Sequence, residues 1–192
     1  MNKPTKIPCG LTVKFDNAVV LEILDRYGPK GWNAWIDAIS KQNLIYPSWD
    51  IRFNGPAIQL DFILRDIDLS NRELDGIDLT QAYIAKGYFR ESSLYGAKLL
   101  IVNHSDFIGC DLRTAAFNSC DISGSIFIDA MIDDINWERA FYYKGNPPIG
   151  LPADITARLQ QLEPDNAEVA EPKKIGCLAS VEDASYWVYQ GD

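Results

Sequence analysis

The chain is poor in the residues from which most catalytic and metal sites are built. It has one histidine, His104, in 192 residues, so imidazole chemistry is limited to a single ring. Four cysteines occur, Cys9, Cys110, Cys120 and Cys177, and no two form a CxxC pair. The usual zinc and dithiol spacings are therefore absent. No GxxxxGK[ST] phosphate loop, no GxGxxG and no HExxH is present, which removes the common nucleotide and zinc-hydrolase motifs. No stretch reaches the ~18 uninterrupted apolar residues of a membrane span. The opening MNKPTKIPCG leads into no signal-type apolar run, so the expected location is the reducing cytoplasm, with free thiols acting as small hydrophobes. Positive charge is also scarce. Lys and Arg number 18 against 27 Asp and Glu, for a net charge of −9. Such a surface is repelled by phosphate backbones, so direct nucleic-acid binding is not expected.

A repeat is present. Every fifth residue from Leu64 is large and apolar: Leu64, Leu69, Leu74, Leu79, Ile84, Phe89, Leu94 and Leu99. After a step of eight the series resumes as Phe107, Leu112, Phe117, Ile122, Phe127, Ile132 and Trp137. With about half the residues apolar, such a run arises by chance with probability on the order of 10⁻⁵. A period of five matches neither a helix nor a strand. It fits a chain that turns a corner at each pentad, four corners closing a coil of about twenty residues whose large side chains fill the inside. These fifteen residues are the expected core.

Two residues before each large one, small side chains recur: Ala82, Gly87, Ser92 and Ala97, then Ser105, Cys110, Ala115, Cys120, Ser125 and Ala130. A coil has room inside for one large and one small residue per side, and overfilling it costs ~1–3 kcal/mol. The residue between them is often Asp (68, 78, 106, 111, 121), which accepts hydrogen bonds from nearby amides in tight turns. Ile67, Arg72, Ile77 and Ile135 are large at the small position, so irregular end coils are expected. The eight-residue step around LLIVNHS reads as a three-residue insertion, a bulge or short loop holding His104. Residues twenty apart should stack, Phe107 over Phe127, Phe117 over Trp137 and Leu69 over Phe89.

The segments IDLSN (67–71), IDLTQ (77–81), SDFIG (105–109), CDLRT (110–114) and CDISG (120–124) resemble the A(D/N)Lxx consensus of the pentapeptide-repeat family. The resemblance covers about residues 60–141. It implies an all-β repeat, a right-handed quadrilateral β-helix of about four coils. GWNAWIDAISKQN is similar to a lead-in that precedes some bacterial arrays, and NPPIGLPADI resembles cyanobacterial examples.

The ends need caps, because an open coil exposes unpaired backbone. Residues 1–56 are expected to form an α-helical N-terminal cap around the 57–144 repeat. One helix runs from Asp16 or Asn17 to Tyr27, with Ala18, Val19, Leu21, Ile23 and Leu24 on its apolar side, and stops at Gly28. A second covers about 31–42, with Trp32, Trp35, Ile36 and Ile39 on one stripe. Residues 145–163 are expected to form a C-terminal helix starting near Pro152, with Leu151, Ile155, Leu159 and Leu162 as its stripe. That helix either caps the last coil or pairs with its copy in a homodimer. Residues 164–192 read as an acidic linker and a tail whose SYWVYQ folds back as an edge strand or serves in recognition.

No catalytic, cofactor or metal residues are assigned. Asp133–Asp134 reads as solvated surface. Between residues 60 and 141 there are fourteen acids and seven bases, net −7. A filled, rigid prism with solvent-facing residues reads as a scaffold or regulator with a protein partner, and hydropathy and charge point to no membrane or direct nucleic-acid contact. The alternative, implied by the resemblance, is a DNA mimic that binds type II topoisomerase and confers quinolone resistance. A mimic needs one continuous acidic stripe, which a base on every face would break. A small enzyme or metal protein is the third reading, and an enzyme requires a real cleft.

Overall fold

The computed structural model describes residues 12–14, 17–40, 45–47, 58–61, 63–164 and 176–178. The chain divides into two compact units, Met1–Phe62 with Glu171–Asp192, and Ile63–Ala170.

In the first unit, strands β1 (Thr12–Lys14), β2 (Ile45–Pro47) and β3 (Ile58–Asp61) join β8 (Gly176–Leu178) in a parallel sheet of order β2-β3-β1-β8. The tail thus returns as an edge strand, through Gly176–Leu178. The SYWVYQ segment lies outside the described residues. Helix α1 (Asn17–Ser40) is two helical segments broken at Gly28, which takes φ 62° and ψ −172°. Pro29 opens the second segment, where its missing N–H costs nothing. The expected end at Gln42 and the side chain of Ile39 fall outside the described residues. The buried stripe of the first segment is Val20, Ile23 and Leu24, at i, i+3 and i+4. Ala18 is exposed and Val19 and Leu21 are half-buried, which corrects the apolar face expected there. Trp32, Trp35 and Ile36 are buried, the two indoles 5.5 Å apart.

In the second unit the chain winds in turns stitched by parallel bridges. Asp68 pairs with Tyr88, Glu73 with Ser93 and Asp78 with Lys98, while β4 (Ile63–Arg65) pairs with β5 (Tyr83–Ala85). Each turn therefore carries four rows of pairing, here called faces one to four from the Leu64 row onward. Each bridging residue precedes a large inward residue, so it points outward. Thirteen of the fifteen expected core residues are buried; Ile132 and Trp137 are half-buried. Phe89, Phe107 and Phe127 stack on face two, with centroids 4.8 and 5.1 Å apart and planes within 12°. Phe117 lies over Trp137 at 5.0 Å. The Leu69 N–H donates to the carbonyl of Tyr88, which places Leu69 over Phe89.

The step at 99–107 is a shortening, not an insertion. Tyr83 pairs with Ile101, Tyr88 with Asp106, Ser93 with Asp111 and Lys98 with Ala116, all eighteen apart, and the twenty-residue spacing returns from Ile101–Asp121. Val102, 1% exposed, fills the inward place between Ile84 and Ile122. One pentad is thus cut to three residues between Leu99 and Val102. No bulge forms because the corner loses residues while each face keeps its bridge. The first turn is also regular. Ile67 and Ile77 are fully buried and the register holds, since the same columns continue below as Gly87 and Ala97, which leave room for them.

Corner geometry explains the polar composition. Fourteen corner residues from Asp66 to Arg139 have φ between 53° and 68°. The two exceptions are the corner at Gln81 and the shortened one. The outward Asp side chains lock these corners as the sequence suggests. Asp68 accepts from the Ser70 amide at 3.0 Å, Asp106 from Ile108 at 3.0 Å and Asp121 from Ser123 at 3.0 Å. Hydroxyls and a thiol in the small column bond the turn above. Ser92 Oγ donates to the Leu69 carbonyl (2.6 Å), Ser125 Oγ to Val102 (2.7 Å) and Cys110 Sγ to Phe89 (2.7 Å).

After the fourth turn, β6 (Phe141–Tyr143) is followed by Ile149, which pairs with Ile126. Then come α2 (Ala153–Thr156) and β7 (Gln160–Leu162), which pairs with β6. The long C-terminal helix expected over 145–163 is therefore one helical turn. Leu159 is buried, yet Leu162 is exposed in a strand, so the four leucine and isoleucine positions form no common helical stripe. Pairing of β7 with β6 satisfies more backbone groups than a free helix end would.

Candidate interaction surface

The flat outer faces of the second unit follow from the pentad register. With position i inside, i−1 and i+1 point out, and successive turns stack them in columns. Face one carries Tyr83, Asn103, Asp121, Ser123 and Tyr143. Asn103 Nδ2 donates to Tyr83 Oη and to Asp121 Oδ2, both at 3.3 Å. Asp121 Oδ1 also accepts from Ser123 Oγ at 2.6 Å, and Ser123 Oγ accepts from the Tyr143 amide at 2.9 Å. Asp121 is only 7% exposed. These bonds satisfy its oxygens without a cation, as burial of a carboxylate requires.

Face two carries Asp68, Tyr88, Arg90, Asp106, Ile108, Ile126, Ile128 and, from the partial fifth turn, Ile149. Arg90 Nε meets Asp106 Oδ2 at 2.6 Å. Face three carries Glu73, Asp75, Ser93, Tyr95, Asp111, Arg113, Met131 and Asp133. Arg113 grips Asp111 through Nε (2.9 Å) and Nη2 (2.7 Å) and lies 5.8 Å from the Tyr95 ring centre. The Arg113 fork holds the Asp111 carboxyl below its ordinary range. The Ser70 amide and hydroxyl do the same for Asp68. Face four carries Asp78, Thr80, Lys98, Asn118, Asn136 and Glu138.

Bases interrupt every face: Arg65 on one, Arg90 on two, Arg113 on three and Lys98 on four. Sequence composition alone could not show this, because it depends on which pentads stack. Apolar exposure is uneven as well. Of the six large exposed apolar residues among those described, Tyr88, Ile128 and Ile149 lie on face two, Tyr95 and Met131 on face three, and Leu162 continues face one.

Cys110 and Cys120 sit inside. Burial pushes the Cys110 thiol up to about 12 and holds Cys120 well above its ordinary range. Neither is a nucleophile at neutral pH. His104 is an exposed corner residue with φ 54°. Its N–H donates to the Ser123 carbonyl at 2.6 Å and its ring lies against Gly124. Asp133 and Asp134 are both exposed, one on a face and one at a corner. Among the described residues no three His, Cys, Asp or Glu side chains gather as metal ligands, and no helix is long and apolar enough to cross a membrane. Sequence reasoning missed two features of the surface: Val102, whose shortened pentad sets the face order, and the outward apolar columns. A scan of the i−1 and i+1 registers could have found the second.

No family model matches this chain, and no curated protein matches it. Among solved structures it is similar to the crystal structure of a pentapeptide repeat protein from the Arabidopsis thaliana thylakoid lumen. The identity is 18% over 45% of this chain and 72% of that one, with a TM-score of 0.18.

Proposed function

We propose that residues 63–143 are a right-handed quadrilateral β-helix of the pentapeptide-repeat kind, and that it serves as a non-enzymatic, cytoplasmic scaffold presenting faces two and three to a protein partner. The register of four parallel bridge rows per turn supports the architecture. The observation that carries the function is the clustering of outward apolar residues. Tyr88 (45% exposed), Ile128 (42%), Tyr95 (47%) and Met131 (46%) lie on two adjacent faces. A flat, rigid surface that exposes aromatic and aliphatic side chains in columns is built for contact with another surface. The buried large and small columns that occupy the inside of the turns support the non-enzymatic reading. The DNA-mimic reading is disfavoured by the base on each of the four faces, because duplex mimicry needs an unbroken acidic stripe.

Capture from native lysate tests the reading. Wild-type chain should retain a discrete partner that Tyr95→Glu/Ile128→Glu chain loses at unchanged melting temperature. Equal capture by both baits sinks it. A supercoiling assay addresses the alternative, with salt-sensitive inhibition of gyrase as the result that favours a mimic.

A further inference from the structure

We propose that the last turn binds an extended basic segment of a partner protein by strand addition along its open edge on faces three and four. This rests on the scaffold reading and names its partner chemistry.

The edge is read from the backbone. In the stacked turns, except at the corners of Gln81 and Ile101, the inward residue and the corner residue donate N–H groups to the next turn. Leu112 donates to Met131, Thr114 to Asp133, Phe117 to Asn136 and Ser119 to Glu138. In the fourth turn Ile122, Gly124 and Phe127 still find acceptors, in Phe141, Asn146 and Ile149. The equivalent N–H groups of Ile132, Asp134, Trp137 and Arg139 have no backbone acceptor among the described residues. The carbonyls of Ala130 and Ile135 have no backbone donor among the described residues, although their counterparts on Cys110 and Ala115 accept from Met131 and Asn136. The cause is the fifth turn. It pairs on faces one and two, then runs through α2 and returns to face one as β7, leaving faces three and four unmatched.

Two further observations agree. Ile132 and Trp137 are the only expected core residues left half-buried, while Asp134 and Arg139 are exposed. An accessible row of unpaired donors and acceptors beside half-covered apolar side chains is a template for another strand. Charge selects the occupant. Asp129, Asp133, Asp134 and Glu138 are exposed along this edge, against the single base Arg139, which lies 3.7 Å from Glu138. A second copy docking edge to edge would bring these acids together. A segment alternating apolar residues with Lys or Arg would place its side chains over Ile132 and Trp137 and its cations beside the carboxylates.

The test uses the full chain and a labelled peptide, acetyl-KVKIKVKV-amide. Two controls accompany it, the acidic EVEIEVEV and the basic peptide N-methylated at alternate residues. Fluorescence anisotropy should show saturable binding of the basic peptide and none of either control. The amide signals of Ile132, Asp134, Trp137 and Arg139 should shift. Asp133→Lys/Glu138→Lys should weaken binding about tenfold with the same melting temperature. Equal affinity for the N-methylated peptide, or shifts elsewhere, overturns the proposal. Slow hydrogen exchange at those four amides in the free chain also overturns it. Concentration dependence of that protection would identify a second copy as occupant, and independence would identify the chain's own tail. A chain that captures a partner through Tyr95 and Ile128 yet ignores the peptide loses this inference and keeps the scaffold.

Discussion

Both units of this chain are built from parallel pairing, but they obtain it differently. In the repeat unit a residue's partner lies one turn away: Asp68 meets Tyr88, and Ile101 meets Asp121. In the other unit Thr12 pairs with Gln59 on one side and with Gly176 on the other. Closing the short loop costs little chain entropy and repeats identically, whereas closing the long one costs more and happens once. The repeat unit therefore approximates a sum of neighbouring-turn contacts. The split sheet depends on the two ends of the chain meeting.

The strongest way to break the comparison is through the ring column. Phe107 lies between Phe89 and Phe127, and its removal opens a cavity that the turns on either side cannot close. Phe107→Ala should cost about 3–5 kcal/mol in chemical unfolding and should lower protection across the second to fourth turns. Loss confined to a single turn would show that the turns are not coupled.

A smaller effect is expected in the small column. A Cβ on Gly87 would come within 2.6 Å of Ile84 Cγ2 and 2.9 Å of Phe89 Cε2. Gly87→Ala should destabilise by about 1–3 kcal/mol, measured by urea denaturation. Alkali probes the same column. The Cys110 thiol is raised from 9.0 to about 12 by burial, so the folded chain disfavours the thiolate. Its stabilising contribution is complete below pH 9 and is lost as the pH rises toward 12. Cys110→Ala should flatten that alkaline decline in a pH series of melts.

Corners should respond in the opposite direction. Thr114 is β-branched and held at φ 59°, where a branched Cβ crowds the backbone. Thr114→Asn should stabilise by about 0.5–1 kcal/mol in the same urea titration. The least effect on the repeat is expected from the tail. Truncation before Glu171 removes β8 and should speed hydrogen exchange at Thr12–Lys14, while exchange across the repeat stays unchanged. A repeat that loosens with the tail would mean that the two units share one cooperative transition.

The contrast between the units also explains what could be read beforehand. The pentad positions, the Asp-locked corners and the stacking of Phe107 on Phe127 were legible because each follows from a fixed local spacing; the stacking of Phe89 on Phe107 was not, because the shortened pentad sets it. The corner at 99–102 was misread because three residues added to a pentad and two removed from the next both leave a step of eight. Only the pairing of Tyr83 with Ile101 distinguishes them. The C-terminal stripe was misread because Leu151, Ile155, Leu159 and Leu162 fit helical spacing. The Phe141–Tyr143 edge nevertheless offered Gln160–Leu162 a strand partner. The parallel sheet of β1, β2, β3 and β8 left little mark beyond the β-prone tail, since strands of three or four residues carry too little periodicity to be recognised.

Sequence alone determined which residues of the repeat lie inside wherever the pentad is intact, because a five-residue period admits one set of large positions and one set of small ones; Val102, in the shortened pentad, escaped it. Tertiary structure alone decided what stands beside what on the outside: the bases that interrupt each face, the apolar columns on faces two and three, and the unpaired edge of the last turn. Inward placement is a matter of local spacing. Neighbourhood across turns depends on the length of every turn between, and a single two-residue shortening resets it for all the residues that follow.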